Sequence, residues 1–159
     1  MIHHPVQISE EIKTLNVISD AFEDGGHIPL KYTSEGENIN PPLSIKNIPH
    51  EAKSLAMIVE DPDAPIRPWI HWLVWNIPIS GKIEEDSIPG TEGWNSFSKI
   101  HYGGPCPPSR THKYTFKVYA LDVILNLHVA SNKVEMEKAM SKHIIAFGEL
   151  TGLYKKAEE

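Results

Sequence analysis

The residues best suited to chemistry begin with a carboxylate-rich turn and the histidine that comes after it. Asp61 and Asp63 occupy alternate positions in the proline-fixed turn DPDAP, and His71 lies in the aromatic run WIHWLVWNI. Because a short connection between antiparallel strands keeps their ends together, this turn can bring Asp61 within contact of His71. The simplest alternative is an ordinary tight turn whose aspartates bond their own backbone amides, with His71 as a core histidine.

A second polar cluster, YGGPCPPSRTHKY, occupies residues 102–114. Gly103 and Gly104 permit backbone conformations and close approaches that other residues resist, and the prolines, beginning with Pro105, stiffen the rest of the loop. A rigid loop with bare backbone is a suitable wall for a small pocket. It delivers His112 to the start of the next strand, much as the first turn delivers its histidine.

A carboxylate, two imidazoles and a phenol can do three different jobs. In anion binding, imidazole and backbone N–H groups donate to phosphate oxygens, while Asp61 orients a histidine or accepts a proton from the phosphate. In metal binding, two histidines and one aspartate form the ligand set of a facial triad. In hydrolysis, Ser109 or Cys106 would be the nucleophile near His112. Spacing alone does not choose among them, but hydrolysis ranks last because Ser109 lacks a nucleophile-elbow motif and Cys106 lacks a neighbouring cationic cluster.

Short strands separated by turns must position these clusters. The 13 prolines and 10 glycines cut the chain into short pieces, which is typical of an all-β sandwich or barrel. Two apolar runs, Ser54–Glu60 and Trp69–Ile77, predict strands buried on both faces, and the alternation in Tyr114–Leu121 predicts a half-buried strand. Residues 81–102 are predicted to be mostly loop. Weaker strand candidates are Leu15–Ser19, Leu30–Thr33 and Leu43–Ile45.

One helix is predicted within Lys133–Phe147. Asn132 and Glu135 form a plausible capping pair, and Gly148 stands where a helix would end. The apolar stripe at helical spacing consists of Met136, Ala139, Met140, His143, Ile144 and Phe147.

Composition excludes several classes of protein. The 159 residues suit a single domain over residues 1–159, and no apolar run approaches the roughly 20 residues that span a bilayer. Because the net charge is −6 and the lysines are dispersed, nucleic acid is not an expected partner. The N-terminus lacks a secretory signal and Cys106 is the only cysteine, so we expect a cytoplasmic protein without disulfides. Four tryptophans and an acidic surface suggest a homodimer.

Three blocks of sequence resemble a known family. DPDAP at residues 61–65, HWLVWNIP at 71–78 and YGGPCPPSRTHKYTFKVYALD at 102–122 are similar to the signature blocks of the phosphatidylethanolamine-binding protein family, also called the Raf kinase inhibitor protein family. The likeness covers roughly Leu30–Tyr154. The chain length and the GPCPP form resemble the short bacterial and archaeal branch.

The resemblance implies an antiparallel β-sandwich with Greek-key strands and a peripheral C-terminal helix. It also implies a small pocket for phosphate, phosphorylethanolamine or similar anions, in which His71 faces the ligand beside Asp61, with His112 opposite. The residues carried over as ligand-binding are Asp61, Asp63, Pro65, His71, Tyr102, Gly104, Pro105, His112 and Tyr114. Their neighbourhood suggests that Arg67, Trp69 and Trp94 line the rim. Arg110 replaces the glycine usual in the family's PPxGxH stretch and could add a cation there.

The family's functions span kinase modulation, protease inhibition, floral signalling and headgroup binding. The leading prediction is a non-enzymatic anion-binding protein, without catalytic residues, metal or cofactor, that modulates a protein partner such as a kinase or a phosphoprotein. The alternative is a protease inhibitor that acts through a surface loop and does not need the pocket. A metal-dependent or hydrolytic enzyme ranks last.

Overall fold

The computed structural model describes residues 11–107 and 110–156, which form two β-sheets and a short α-helix. The strands are β1 (Lys13–Thr14), β2 (Asn16–Ile18), β3 (Leu43–Lys46), β4 (Ser54–Asp61), β5 (Trp69–Ile77), β6 (Lys82–Ile83), β7 (Thr91–Glu92), β8 (Thr111–Leu121) and β9 (Ile144–Lys155). The helix α1 is Lys133–Met140, and Leu30–Tyr32 forms a 3-10 turn.

The strands confirm a mainly β fold with one peripheral helix. The large sheet has the order β1-β9-β8-β4-β5-β7 and the small sheet has the order β2-β3-β6. Strand β1 runs parallel to β9, whereas the other pairs are antiparallel. The long central strands β8, β4 and β5 therefore lie side by side, and their ends can bring distant parts of the chain together.

Apolar residues cover both faces of the large sheet. Its inner face packs against the small sheet through residues such as Val59, Trp72 and Phe116, a cluster that we call the inner core. Its outer face packs against α1 through residues such as Ile58 and Met136, which we call the outer core. Because β4 contributes to both clusters, all eight of its residues are buried, as the continuous apolar run predicts.

Strand β8 is more deeply buried than its alternating pattern predicts. The residues at its even-numbered positions, including Tyr114 and Phe116, enter the inner core as expected. Tyr119, expected on the solvent face, is buried in the outer core and packs on Phe147 with ring centroids 5.1 Å apart. The prediction of a half-buried strand is therefore wrong, because the helix side of the sheet is also covered.

The helix is shorter than its apolar stripe predicts. It begins with the expected capping box, in which Asn132 and Glu135 satisfy each other's backbone amides, and it ends at Met140. Residues from Ile144 onward form β9 instead, where every second side chain faces inward along the partner strand β8. The helical spacing of Ile144 and Phe147 is a coincidence, because pairing with an 11-residue neighbour strand determines their conformation.

The weaker strand predictions have mixed outcomes. Strand β2 lies within residues 15–19 and β3 occupies 43–46, whereas residues 30–32 form the 3-10 turn. Residues 81–102 are mostly loop, apart from the two-residue strands β6 and β7. Within the described parts of the chain, no helix combines the length and the apolar content needed to cross a bilayer.

A β-bulge interrupts β5 at His71. Val59 of β4 pairs with Trp72, but the next residue, Glu60, pairs with Ile70, so His71 is an extra residue without a partner on β4. Since a bulge reverses the alternation of the strand, Ile70 enters the outer core while Trp72 enters the inner core. Bulges often re-aim side chains at functional sites.

Candidate ligand-binding site

The ends of three adjacent strands place the predicted chemical groups together. Asp61 ends β4, His71 lies near the start of β5, and His112 lies near the start of β8. All three side chains are buried, with relative exposures of 4%, 2% and 6% respectively. Buried titratable groups are costly unless they have partners, so their contacts indicate how the fold accommodates them.

Asp61 and His112 form a buried pair. The imidazole Nδ1 of His112 donates to Oδ2 of Asp61 at 2.5 Å, and the other carboxylate oxygen accepts the Asp63 amide at 2.9 Å. The expectation that His71 would be the neighbour of Asp61, with His112 opposite, is therefore wrong in its pairing. Asp61 and His112 are diagonal neighbours across the antiparallel pair of β4 and β8, and this position brings His112 to the carboxylate instead.

His71 is fixed by the backbone of Gly103. Its Nδ1 donates to the Gly103 carbonyl at 2.6 Å, and its own carbonyl accepts the Gly103 amide at 2.9 Å. Burial lowers the pKa of His71, although the carbonyl bond and the charge of Asp61 oppose that change. In both His71 and His112, Nδ1 is engaged by protein, which leaves Nε2 for another partner.

Tyr114 lies against both imidazoles. Its ring centroid is 5.2 Å from that of His71 in an edge-to-face contact, and 6.5 Å from that of His112. The Tyr114 hydroxyl is buried and donates to no described residue, although the backbone of Cys106 lies close to its oxygen.

The Tyr114 phenol keeps its proton. Burial raises its pKa and the charge of Asp61 raises it further, while the backbone of Cys106 opposes the change more weakly. The group is therefore a hydrogen-bond donor, and no described residue accepts from it. Buried donors without an acceptor are rare in folded proteins, so this hydroxyl calls for an explanation.

The loop that begins at Tyr102, in the second polar cluster, forms a wall of the candidate site through its backbone. The Gly104 amide donates to Oδ1 of Asn38 at 2.7 Å, and the Pro105 carbonyl accepts both the amide and the hydroxyl of Ser34 at 3.0 Å. The Tyr102 hydroxyl donates to the carbonyl of Tyr32 at 2.8 Å, so this phenol supports the wall. Its hydroxyl hydrogen is therefore not available to a ligand.

Two predicted ligand-binding residues, Asp63 and Pro65, lie close in sequence to two predicted rim residues, Arg67 and Trp69. Asp63, Pro65 and Arg67 lie in the turn between β4 and β5, where Asp63 and Arg67 are exposed. Trp69 contacts Phe97 edge-to-face, and Phe97 in turn contacts the His71 ring, so Trp69 extends the aromatic wall outward.

Trp94 and Arg110, the other two predicted rim residues, lie at opposite ends of the connection between β7 and β8. The amide of Trp94 donates to the carbonyl of Ser131, just before α1, which ties this residue to the segment that leads into the helix. Arg110 is exposed just before β8. Its φ of 44° lies in the left-handed region that glycine favours. The backbone thus keeps a glycine-like conformation with an arginine in place.

Three features of the site were absent from the sequence prediction. They are the Gly103 carbonyl that orients His71, the Phe97 ring beside it, and the Asn38 side chain that anchors Gly104. Each depends on contacts between remote segments, and no local pattern indicates them. Among the described residues, no group of three or more histidine, cysteine or acidic side chains could hold a metal ion.

The lowered pKa of His71 predicts a specific loss of stability in acid. The unfolded chain binds this proton more readily, so the contribution of the neutral ring is complete above the ordinary imidazole pKa of about 6.5 and is lost as pH falls below it. Denaturant unfolding of the native chain between pH 7.5 and 5.5 should therefore show a steeper fall in stability than unfolding of His71→Asn, by up to about 1.4 kcal/mol per pH unit. Asparagine can still donate to Gly103, and equal slopes would contradict the prediction.

Cys106 lies beside this wall as an exposed free thiol. We expect Cys106→Ala to change the affinity for a phosphate monoester by no more than a few-fold, because the adjacent backbone rather than the thiol shapes the wall. Titration calorimetry on both proteins checks this. Complete loss of binding, or a covalent adduct on Cys106 after incubation with a phosphoester, would overturn the assignment.

Comparison with known families gives a match over residues 18–155, to the family described as phosphatidylethanolamine-binding protein. A UPF0098 protein of Methanothermobacter thermautotrophicus is 43% identical over 150 residues, which cover 89% of this chain and 99% of the relative. Another, from Pyrococcus abyssi, is 47% identical over 150 residues, covering 87% of this chain and 84% of the relative.

Two solved structures are similar to the fold. A phosphatidylethanolamine-binding protein homolog from Chlamydia trachomatis has a TM-score of 0.87 and 43% identity, covering 91% of this chain and 99% of that one. YbcL from E. coli, described as a member of the mammalian family of these proteins, has a TM-score of 0.83 and 29% identity, covering 90% and 99% respectively.

Proposed function

The chain belongs to the phosphatidylethanolamine-binding protein family, and from that premise we propose that it binds a small phosphate monoester among Asp61, His71, His112 and Tyr114. The observation that carries the proposal is the buried Tyr114 hydroxyl, a donor without an acceptor among the described residues, between two imidazoles whose Nδ1 atoms are already engaged. A phosphate oxygen would accept from that hydroxyl.

The protonation state of the site favours a phosphate that brings a proton. A neutral imidazole that donates through Nδ1 offers a lone pair at Nε2, which accepts a P–OH group, whereas a protonated imidazole donates to a P–O⁻ group. Asp61 carries a buried negative charge that would repel a fully ionised phosphate. The complex therefore holds one proton more than the empty site and a free phosphate dianion hold together. Binding of the dianion takes up one proton.

This proton requirement predicts that affinity decreases as pH rises. A phosphate monoester has a second pKa of about 6, so the monoprotonated form decreases on the order of 80-fold between pH 5.5 and 8. Calorimetry with phosphorylethanolamine should show a fall in affinity of similar size between these two pH values. Equal affinities at both pH values would contradict the protonated-ligand mechanism.

Tyr114→Phe provides a matched variant for this experiment. Removing a hydroxyl to which no described residue offers an acceptor should leave thermal stability unchanged or slightly raised, while the lost hydrogen bond to phosphate should weaken binding by about 10-fold. If affinity is native and stability falls, the hydroxyl has a structural role and the proposed ligand position is wrong.

The proposal includes binding without turnover and an effect on a protein partner such as a kinase or a phosphoprotein. The turn beside the pocket supports a macromolecular contact, since Ile66 is fully exposed there and Trp69 is 37% exposed. Exposed apolar side chains next to a phosphate pocket suit a partner that presents a phosphorylated side chain. Pull-down from native extract with the intact chain and with His112→Ala would test whether partner capture depends on the pocket.

A further inference from the structure

A cavity of about 260 Å³ adjoins the double-glycine loop, and Asp61, His71 and His112 are not among the residues that line it. We call it the Lys99 cavity. The basic side chains that line it are Lys99 and His101, and Asn38 contributes to its wall. No acidic residue is among the described residues that line it. The cavity therefore presents cationic and polar nitrogen groups in one place.

The nitrogen atoms of this cavity are available to a ligand. Lys99 forms no ion pair with any residue in the described ranges. The Asn38 amide is oriented by Gly104, whose N–H donates to Oδ1, so the Asn38 Nδ2 group remains without a protein acceptor among the described residues. Ammonium and amide N–H groups are donors only, and an oxyanion is the ligand that satisfies them.

His101 is held in place by a buried carboxylate. Its Nδ1 donates to Oε1 of Glu92 at 2.9 Å, and Oε2 of Glu92 accepts the indole N–H of Trp72 at 2.7 Å. Glu92 is only 5% exposed, whereas the His101 side chain is 63% exposed. A protonated His101 then keeps Nε2–H for a ligand, with its charge balanced from behind by Glu92.

A larger neighbouring cavity of about 480 Å³ defines the limit of this site. It shares Asn38 and His101 with the Lys99 cavity, but Asp86 and Glu92 also line it. An anion would be repelled from the Asp86 end and attracted to the Lys99 end. The favourable position for negative charge is thus the smaller cavity.

We propose that the Lys99 cavity is a second oxyanion site, in which Lys99, His101 and Asn38 bind a sulfate-like or phosphate-like group. It differs chemically from the Asp61 site, because the Lys99 cavity has donors and no carboxylate acceptor for a ligand proton. Sulfate, which carries no proton near neutral pH, should therefore bind in the Lys99 cavity and be excluded from the Asp61 site. The two sites share the glycine loop as a common wall.

Residue-resolved NMR on the full chain tests the proposal. Sodium sulfate is added at about pH 6, where an ordinary imidazole is largely protonated, against sodium chloride at matched ionic strength. The side-chain amide of Asn38 and the backbone amide of Gly104 should shift with a saturable curve. Lys99→Gln should weaken this sulfate binding by about 10-fold, because it removes a charge-assisted hydrogen bond.

Two matched variants distinguish the Lys99 cavity from diffuse surface binding and from the Asp61 site. Lys53→Gln removes the same charge from an exposed position outside the cavity and should leave the curve unchanged. His112→Asn alters the Asp61 site and should also leave sulfate binding unchanged. A linear, unsaturable response, an equal curve in Lys99→Gln, or loss of the curve in His112→Asn would each overturn the second site, whatever phosphorylethanolamine does at the first.

Discussion

Replacing His112 by alanine is expected to lower the affinity for phosphorylethanolamine by about 10- to 100-fold and to destabilise the fold by about 3 kcal/mol. The two effects have one cause. His112 donates from Nδ1 to the buried Asp61 carboxylate, and the proposed function assigns its Nε2 to the ligand. The alanine variant removes both contacts and leaves Asp61 buried without its cationic or donor partner.

His112→Asn separates the two contacts. The asparagine side-chain N–H₂ can replace the Nδ1 donor to Asp61, but it has no atom at the position of Nε2. Its unfolding free energy should therefore be closer to native than that of the alanine variant, while its affinity for phosphorylethanolamine should remain low. Calorimetry and denaturant unfolding measure the two quantities. Native affinity in His112→Asn would mean that Nε2 does not contact the ligand.

Gly104→Ala is expected to have the second large effect, on both stability and binding. A Cβ at this position would lie 2.4 Å from the Tyr32 carbonyl oxygen and 2.6 Å from Oδ1 of Asn38, distances that require the loop to move. Overpacking of this kind typically costs about 1–3 kcal/mol. Displacement of the loop would also disturb Gly103, whose two backbone groups hold His71, so affinity should decrease as well.

Gly25→Ala is the control for the substitution itself. Gly25 has a φ of 80° but no atom within 4 Å of an added Cβ, so its replacement introduces backbone strain of about 1–2 kcal/mol without a steric collision. It should leave phosphorylethanolamine affinity unchanged. If Gly104→Ala binds the ligand as well as the native chain does, the glycine loop is not the wall of the site.

The sequence predicts the central strands for physical reasons, whereas the full set of candidate site residues came from the resemblance to the family. The apolar runs in β4 and β5 are long enough to identify strands buried on both faces, and the capping pair identifies the start of α1. The end of the helix was predicted wrongly, since β9 carries glycines at two of its inward positions, Gly148 and Gly152. Without side chains there, the two-residue alternation is weak, and the helical spacing of Met136 and its neighbours continues by chance.

Long-range contacts account for the features that the sequence could not predict. The contact between Asp61 and His112 depends on the register of β4 against β8. The orientation of His71 depends on the carbonyl of Gly103, which is 32 residues away in the sequence. Glu92 is another residue whose position could not be predicted from the sequence. A glutamate in a two-residue strand suggests a solvated side chain, yet the indole of Trp72 and the imidazole of His101 make it a buried support.

His71 is the extra residue of the β-bulge. Its deletion would remove a residue of the candidate site but would leave the pairing of Ile70 and Trp72 with β4 in place. On β4, the residues opposite Trp72 and Ile70 are neighbours, so the ladder would be regular at this point in a chain shortened by His71 alone. Ile70 and Trp72 would then stay on the faces they occupy, and neither hydrophobic cluster would lose a member. A single-codon insertion into an ordinary strand is thus sufficient to add this imidazole. The same architecture can gain or lose this imidazole without a new fold.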